Sequence, residues 1–248
     1  MPDLLTAVPV TAYWLFRIIA IIFSLVFALI KRKAFGLTLF GTFILAAFAV
    51  FGAIVGAKAL YIVGQIIMRG GYPNFWTWRN WIVMSRAGGI LYGSVFGVVG
   101  MILLFAKLFK HKATDLLGLA AITLMGANFF SRLGCYYSGC CYGIRLADGN
   151  LFPYQLTEGI LSALFFLGFV LWRPERKHKD AIFPIAAILY SVTRFALEFF
   201  RGDGGRGILL SLSSSQWIAL FMVAAAVVWL FIVRPKSKEE HMINEAHP

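Results

Sequence analysis

The chain has 248 residues, 60% of them hydrophobic and 14% charged, against roughly 25% charged in soluble domains. That balance excludes a soluble globular protein and places the chain in lipid. The net charge of +12 raises nucleic acid as a partner, but the basic residues sort by loop, so no nucleic-acid role is expected.

A membrane-crossing helix needs about 20 mostly apolar residues. Seven runs qualify, near 10–30, 37–68, 84–107, 114–131, 152–172, 181–200 and 216–233. The second is long enough to tilt or to include an interfacial piece. The first is long and followed by Lys31-Arg32-Lys33 rather than a small-residue cleavage site, so it reads as a span and not a secretory leader. Nothing remains for a separate soluble domain. The expectation is one all-α, polytopic membrane domain over 1–248, with residues 233–248 as a cytoplasmic tail.

Orientation follows from the basic residues. Lys31, Arg32 and Lys33 follow the first span, and Lys107, Lys110 and Lys112 the third. Arg173, Arg176, Lys177 and Lys179 follow the fifth, and Arg234, Lys236 and Lys238 the seventh. The positive-inside rule makes these alternate loops cytoplasmic, with the N-terminus outside and the C-terminus in the cytoplasm. The opposite loops carry Arg69, Arg79, Arg86, Arg132, Arg145, Arg201 and Arg206 but no lysine. Arginine alone persists there, as its fixed bidentate fork is suited to phosphate. Interfacial anchoring is the simpler alternative. His111, His178, His241 and His247 all fall on the cytoplasmic side, so chemistry on the outer face would have no histidine.

Ionisable groups within spans are expensive and call for partners or a function. Arg17 lies in the first span and Lys58 in the second. The sixth holds Arg194 and Glu198, with Arg201 at its outer end; spacings of four and three put them on one helical stripe. An internal salt bridge accounts for Arg194 and Glu198 but leaves the second arginine over, which a phosphate would complete. Tyr190 lies one turn further in. Glu158 opens the fifth span and can face Arg132 or Arg145, or simply the positive end of its own helix. Gly89, Gly93, Gly97 and Gly100 in the third span form a small-residue stripe that suits close helix packing.

Arg132 to Gly143, RLGCYYSGCCYG, holds all three cysteines of the chain. Their C-x4-C-C spacing, with no histidine on that side, makes a poor zinc site, and no metal or cofactor is expected. Three readings stay open. Cys135 pairs with Cys140 or Cys141 in a disulfide; one thiol acts as a nucleophile; or the thiols are small buried side chains that shape the pocket beside Arg132.

Six pieces occur in order: GAKALY (56–61), GGILYGSVFG (88–97), SRLGCYYSGCCYG (131–143), FPYQLTEG (152–159), RFALEFFRGD (194–203) and SSSQWIAL (213–220). Together they resemble the bacterial prolipoprotein diacylglyceryl transferases, over most of the chain. The most specific is RFALEFFR, close to the family's arginine-x3-glutamate-x2-arginine helix. The resemblance implies seven spans in the cytoplasmic (inner) membrane. It implies transfer of the diacylglyceryl group of phosphatidylglycerol to the lipobox cysteine of preprolipoproteins at the outer face, with glycerol 1-phosphate leaving. Carried over by motif, it points to Arg132, Arg194 and Glu198 as catalytic. Lys58, Gly134, Gly139, Gly143, Gln155, Glu158 and Arg201 would bind substrate. The family's G-x-R arginine is here Lys58. Its histidine of the third span is Tyr92, taken as a further catalytic candidate. Its asparagines after RLG are Cys135 and Ser138, and the glutamate after N-G is Cys140. The H-P-S-Q-L-Y-E segment has become Phe152-Pro153-Tyr154-Gln155-Leu156-Thr157-Glu158. These departures keep two alternatives in view. One is an enzyme of the same scaffold with another acceptor or donor lipid. The other is a non-enzymatic lipid-binding or thiol-redox membrane module.

Overall fold

The computed structural model describes residues 4–69, 91–176, 178–202, 208–209 and 211–233. Seven helices carry most of them. They are α1 (Leu4–Lys31), α2 (Leu39–Arg69), α3 (Leu91–Leu108), α4 (Ala113–Tyr137), α5 (Tyr154–Trp172), α6 (Lys179–Glu198) and α7 (Ser214–Val228). A π turn over Trp229–Val233 continues α7. A small antiparallel hairpin, β1 (Ile208–Leu209) and β2 (Leu212–Ser213), precedes it. Among the described residues six helices are long and apolar enough to cross a membrane, and α3 adds a shorter apolar segment over Gly93–Leu108. The all-α polytopic expectation holds, with the spans in the expected order. Residues 84–90 of the third expected span and the tail from 234 lie outside the described residues.

Burial is inverted relative to a soluble protein. Ile30, Phe40, Leu171 and Phe231 are each more than 70% exposed, while Arg132, Glu158, Arg194 and Glu198 are all buried. Apolar side chains face outward because lipid is their solvent, and charge is kept inside where partners exist.

The helices fall into two compact units, Phe35–Leu117 and the remainder. In the first, α2 lies directly on α3. A Cβ on Gly52 or Gly56 would strike the carbonyl of Gly97 or Gly93, and the reverse substitutions would strike α2. Backbones in contact gain dispersion and leave no gap, which drives association where lipid removes the hydrophobic effect. Gly93 and Gly97 therefore do serve packing. Among the described residues nothing lies within 4 Å of a Cβ at Gly100, and Gly89 lies outside the described residues. The same helix pair buries Phe105 against Phe48, with ring centroids 5.7 Å apart.

In the second unit, α1, α4 and α5 share an aromatic seam. Phe23 meets Phe130 at 5.3 Å and Phe166 at 5.4 Å, and Phe27 meets Phe166 at 5.1 Å. Gly159 lets α5 approach α4 so closely that a Cβ there would sit 3.2 Å from the Cβ of Arg132. Gly118 admits Ile182 of α6 in the same way, with a Cβ 3.2 Å from that side chain. Asn128 on α4 donates to the Ser162 hydroxyl on α5 at 2.8 Å.

Helix ends follow local chemistry. α5 stops where Arg173 turns left-handed (φ 53°) and its amide donates to the Phe169 carbonyl; Pro174 then prevents continuation. α7 opens with a capping box. The Ser213 hydroxyl accepts from the Gln216 amide, and the Gln216 side chain accepts from the Ser213 amide. α4 runs to Tyr137, past the expected end at 131, because no breaker intervenes before Ser138. There the Ser138 hydroxyl donates to the Gly134 carbonyl at 2.8 Å, and Gly139 (φ 69°) turns the chain away. Arg132, Gly134 and Cys135, expected in a loop, thus ride on the last turns of a helix.

Candidate functional site

The end of α4, the start of α5, the end of α6 and the start of α7 bring five charged side chains together. Glu158 is the common partner. Its Oε1 accepts from Arg132 Nη2 at 2.6 Å and from the Tyr190 hydroxyl at 3.3 Å, and its Oε2 lies 3.7 Å from Arg194 Nη1. Glu158 is fully buried. Of the two partners open from sequence it takes Arg132; Arg145 instead donates to the Gly149 carbonyl at the tip of an exposed hairpin.

The α6 stripe forms as its spacing predicts. Arg194 Nη2 lies 3.0 Å from Glu198 Oε2, and Arg201 Nη1 approaches the same oxygen at 3.8 Å. Arg194 also reaches the Ser215 hydroxyl at 3.5 Å, just inside α7. Both Arg194 and Arg201 stand over the Tyr154 ring, at 5.8 and 5.6 Å from its centroid. Tyr154, Tyr190 and Ser215 are absent from the sequence-derived candidates. The signal for Ser215 was the SSSQ capping segment, and for Tyr154 its place between Pro153 and Gln155.

Among the described residues three guanidiniums thus face two carboxylates, so these side chains carry net positive charge in a buried cluster. Buried charge is tolerated only when paired, so the cluster suits one further anion. Glu158 Oε2 is buried without a hydrogen bond among the described residues but lies within ion-pair distance of Arg194; two further polar atoms stand outside the ion pairs. Arg132 Nε and the Tyr154 hydroxyl are buried with no hydrogen-bond partner among the described residues. Both are donors. A buried donor without a partner costs free energy that a ligand acceptor would return.

The segment from 138 to 152 closes one side of the cluster. Gly143 bridges antiparallel to Arg201, and Arg145 to Leu151. A Cβ on Gly143 would strike the Phe152 carbonyl, so glycine is required for that crossing. Gly134 packs on α1, where a Cβ would lie 3.0 Å from that of Phe16 and 3.4 Å from the Tyr13 carbonyl. Gln155 is buried, and its Nε2 donates to the Cys140 carbonyl at 2.8 Å, so it holds the segment rather than the charged cluster. Cys135, Cys140 and Cys141 are not joined in a disulfide and lie together beside the cluster. Asp148 accepts from the amide and side chain of Asn150 in the exposed hairpin, which hold its carboxyl below the usual range. It is spent on its own turn.

Lys58 is half-buried on α2 in the other unit, and the Tyr92 side chain lies outside the described residues, as does Asp203. Arg17 folds back on α1, donating to the Tyr13 hydroxyl at 2.8 Å and stacking over its ring at 5.0 Å.

Comparison with known proteins gives a consistent picture. A family model described as prolipoprotein diacylglyceryl transferase matches residues 3–232. The chain is similar to the phosphatidylglycerol–prolipoprotein diacylglyceryl transferase of Clostridium tetani. The two are 30% identical over 202 residues, which cover 75% of this chain and 78% of that protein. It is 30% identical over 210 residues to the protein named phosphatidylglycerol–prolipoprotein diacylglyceryl transferase 2 of Clostridium perfringens, covering 77% and 78%. It is 29% identical over 200 residues to the Campylobacter curvus transferase, covering 74% of each chain.

Proposed function

The chain belongs to the prolipoprotein diacylglyceryl transferase family, and we propose that it moves the diacylglyceryl group of phosphatidylglycerol to the lipobox cysteine thiol of a preprolipoprotein. The site would face the outer side of the bacterial inner membrane, with the N-terminus outside and the tail in the cytoplasm, as the loop charges indicate.

The observation that supports this reading is the buried cluster, in which three guanidiniums gather with two carboxylates and two buried donors make no hydrogen bond among the described residues. The phosphodiester of phosphatidylglycerol carries one negative charge, which suits that cluster. Arg194 and Arg201 approach from α6, Arg132 from α4, and the Tyr154 hydroxyl supplies a neutral donor. In the transfer the acceptor sulfur attacks the glycerol carbon that bears the phosphate. An S–C bond forms, the C–O bond to phosphate breaks, and its electron pair leaves with glycerol 1-phosphate. The thiol proton departs with that phosphate monoester. Fixed guanidiniums stabilise the charge gathering on the leaving group without reorganising, which is where most of the acceleration arises. An acceptor thiol brought among arginines is itself acidified, so no histidine is needed. Glu158 and Glu198 hold the guanidiniums in place. Gln155 and Gly143 hold the flanking segment against them, and Gly134 and Gly139 fix its start.

The test uses purified protein in detergent with phosphatidylglycerol and a lipobox peptide, following peptide mass and released glycerol phosphate. The peptide should gain one diacylglyceryl group per glycerol phosphate released. Arg194→Ala should lower turnover about 100- to 1,000-fold, the usual cost of one oxyanion-stabilising group. Folded wild-type protein that releases no glycerol phosphate would refute the reading. Release without peptide modification would assign another acceptor.

A further inference from the structure

The transfer uses none of the three cysteines, yet the structure gathers them. The Sγ atoms of Cys135, Cys140 and Cys141 all lie within 4.8 Å of one another. Cys135 comes from the last turns of α4, and the other two from the turn that follows. That turn is held from several sides. The Cys140 amide donates to the Cys135 carbonyl at 3.1 Å, Gln155 grips the Cys140 carbonyl at 2.8 Å, and Ser138 Oγ lies 3.3 Å from Cys140 Sγ. Gly139 and Cys141 both adopt positive φ, 69° and 56°. For a cysteine that conformation is costly, and it sets Cys141 beside the other two thiols.

We propose that Cys135, Cys140 and Cys141 form a trigonal thiolate site for copper(I). Three soft sulfur donors select a soft cation. Structural zinc takes four protein ligands, and no carboxylate or imidazole joins the group among the described residues. His178 stacks on Trp172 at the far end of α5, and His111 on Phe105 in the other unit. Metal–sulfur bonds of about 2.3 Å place trigonal sulfurs about 4 Å apart. The observed triangle, with no edge longer than 4.8 Å, is close to that size. Charge favours it too. Arg201 Nη2 lies 3.7 Å from Cys141 Sγ, and a guanidinium so close stabilises thiolate. Cys140 and Cys141 are partly exposed while Cys135 is buried, so the ion has an entrance and a closed floor. Binding breaks three S–H bonds and forms three Cu–S bonds. Three protons go to solvent, and no electron changes hands because the metal enters reduced.

The experiment is a competition in detergent under anaerobic conditions, with protein reduced and then desalted. Copper(I) supplied as its acetonitrile complex is shared with the chromogenic chelator bathocuproine disulfonate. Wild-type protein should retain one copper per chain, and the loaded protein should protect all three cysteines from iodoacetamide, counted by mass spectrometry. Cys140→Ser and Cys141→Ser, each with the wild-type metal-free melting temperature, should weaken retention by at least about tenfold. Two outcomes would overturn the site. One is wild-type protein that surrenders copper as readily as the variant with all three cysteines changed to serine. The other is copper that leaves any of the three thiols open to alkylation. The protection measurement needs no variant, and neither readout depends on transfer activity, so the failure of this proposal is distinct from failure of the transferase reading.

Discussion

Replacing Glu158 by glutamine tests the charge balance of the site directly. Glu158 is fully buried, 2.6 Å from Arg132 and 3.7 Å from Arg194, and accepts from Tyr190 at 3.3 Å. Glutamine keeps the shape and an acceptor but removes the charge, leaving three guanidiniums against Glu198 alone. Removing one partner of a buried ion pair costs about 3–5 kcal/mol. The amide oxygen retains part of the hydrogen bonding, so the lower end, about 3 kcal/mol, is expected here. For a chain of this size each kcal/mol moves the melting temperature by about 2–4 °C, giving a fall of about 6–12 °C. The assay is thermal unfolding in neutral detergent, repeated with phosphatidylglycerol or phosphatidylcholine in the micelles. Phosphatidylglycerol should restore more stability to Glu158→Gln than it adds to wild type, because the variant carries one negative charge fewer among the same guanidiniums. Phosphatidylcholine, carrying no net charge, should do so far less. A melting shift under about 2 °C, or equal stabilisation of both proteins by phosphatidylglycerol, would refute the reasoning.

Other expectations concern single contacts. Tyr154→Phe removes a buried hydroxyl that has no hydrogen-bond partner among the described residues, so the melting temperature should hold or rise. The lost donor to a phosphate, worth about 1.5–3 kcal/mol, should lower kcat/KM about 10- to 150-fold in the peptide transfer assay. Gly97→Ala drives a methyl into the Gly52 carbonyl. Overpacking of about 1–3 kcal/mol should lower the melting temperature and expose the α2–α3 pair to limited proteolysis, while Gly100→Ala, where no described residue lies within 4 Å of a Cβ, should do neither. Ser213→Ala breaks the capping box of α7 and should cost about 1 kcal/mol, read as a small melting shift with little change in phosphatidylglycerol binding.

The spans were legible because a continuous apolar run of the right length has few other fates. The Arg194–Glu198–Arg201 stripe was legible because helical spacing alone brings those side chains together. Glu158 was legible only as a carboxylate near some arginine. That it joins Arg132 and Arg194 depends on how closely α4 and α5 approach, which Gly159 permits and no local pattern announces. Tyr154 was harder still: a tyrosine after a proline has no reason to read as a platform under two guanidiniums. The glycines of α3 showed as a stripe, but their partners Gly52 and Gly56 on α2 sit in a run rich in small residues and did not stand out. For the cysteines a disulfide, a nucleophile and packing all stay open in sequence, because spacing along the chain conveys nothing of a turn with two residues at positive φ.

The bridge between Gly143 and Arg201 has a consequence for how such chains vary. The Ile144 amide donates to the Phe200 carbonyl at 3.0 Å, and the Gly202 amide to the Tyr142 carbonyl at 3.0 Å. The segment after α4 and the segment after α6 are thereby stitched into one piece. Length can change beyond the stitch, at the exposed tip around 146–150, without moving the arginine. An insertion or deletion between 139 and 143 would instead drag Arg201 out of register with Glu198. Related chains that differ in length should carry the difference at the tip and keep the count between the two glycines.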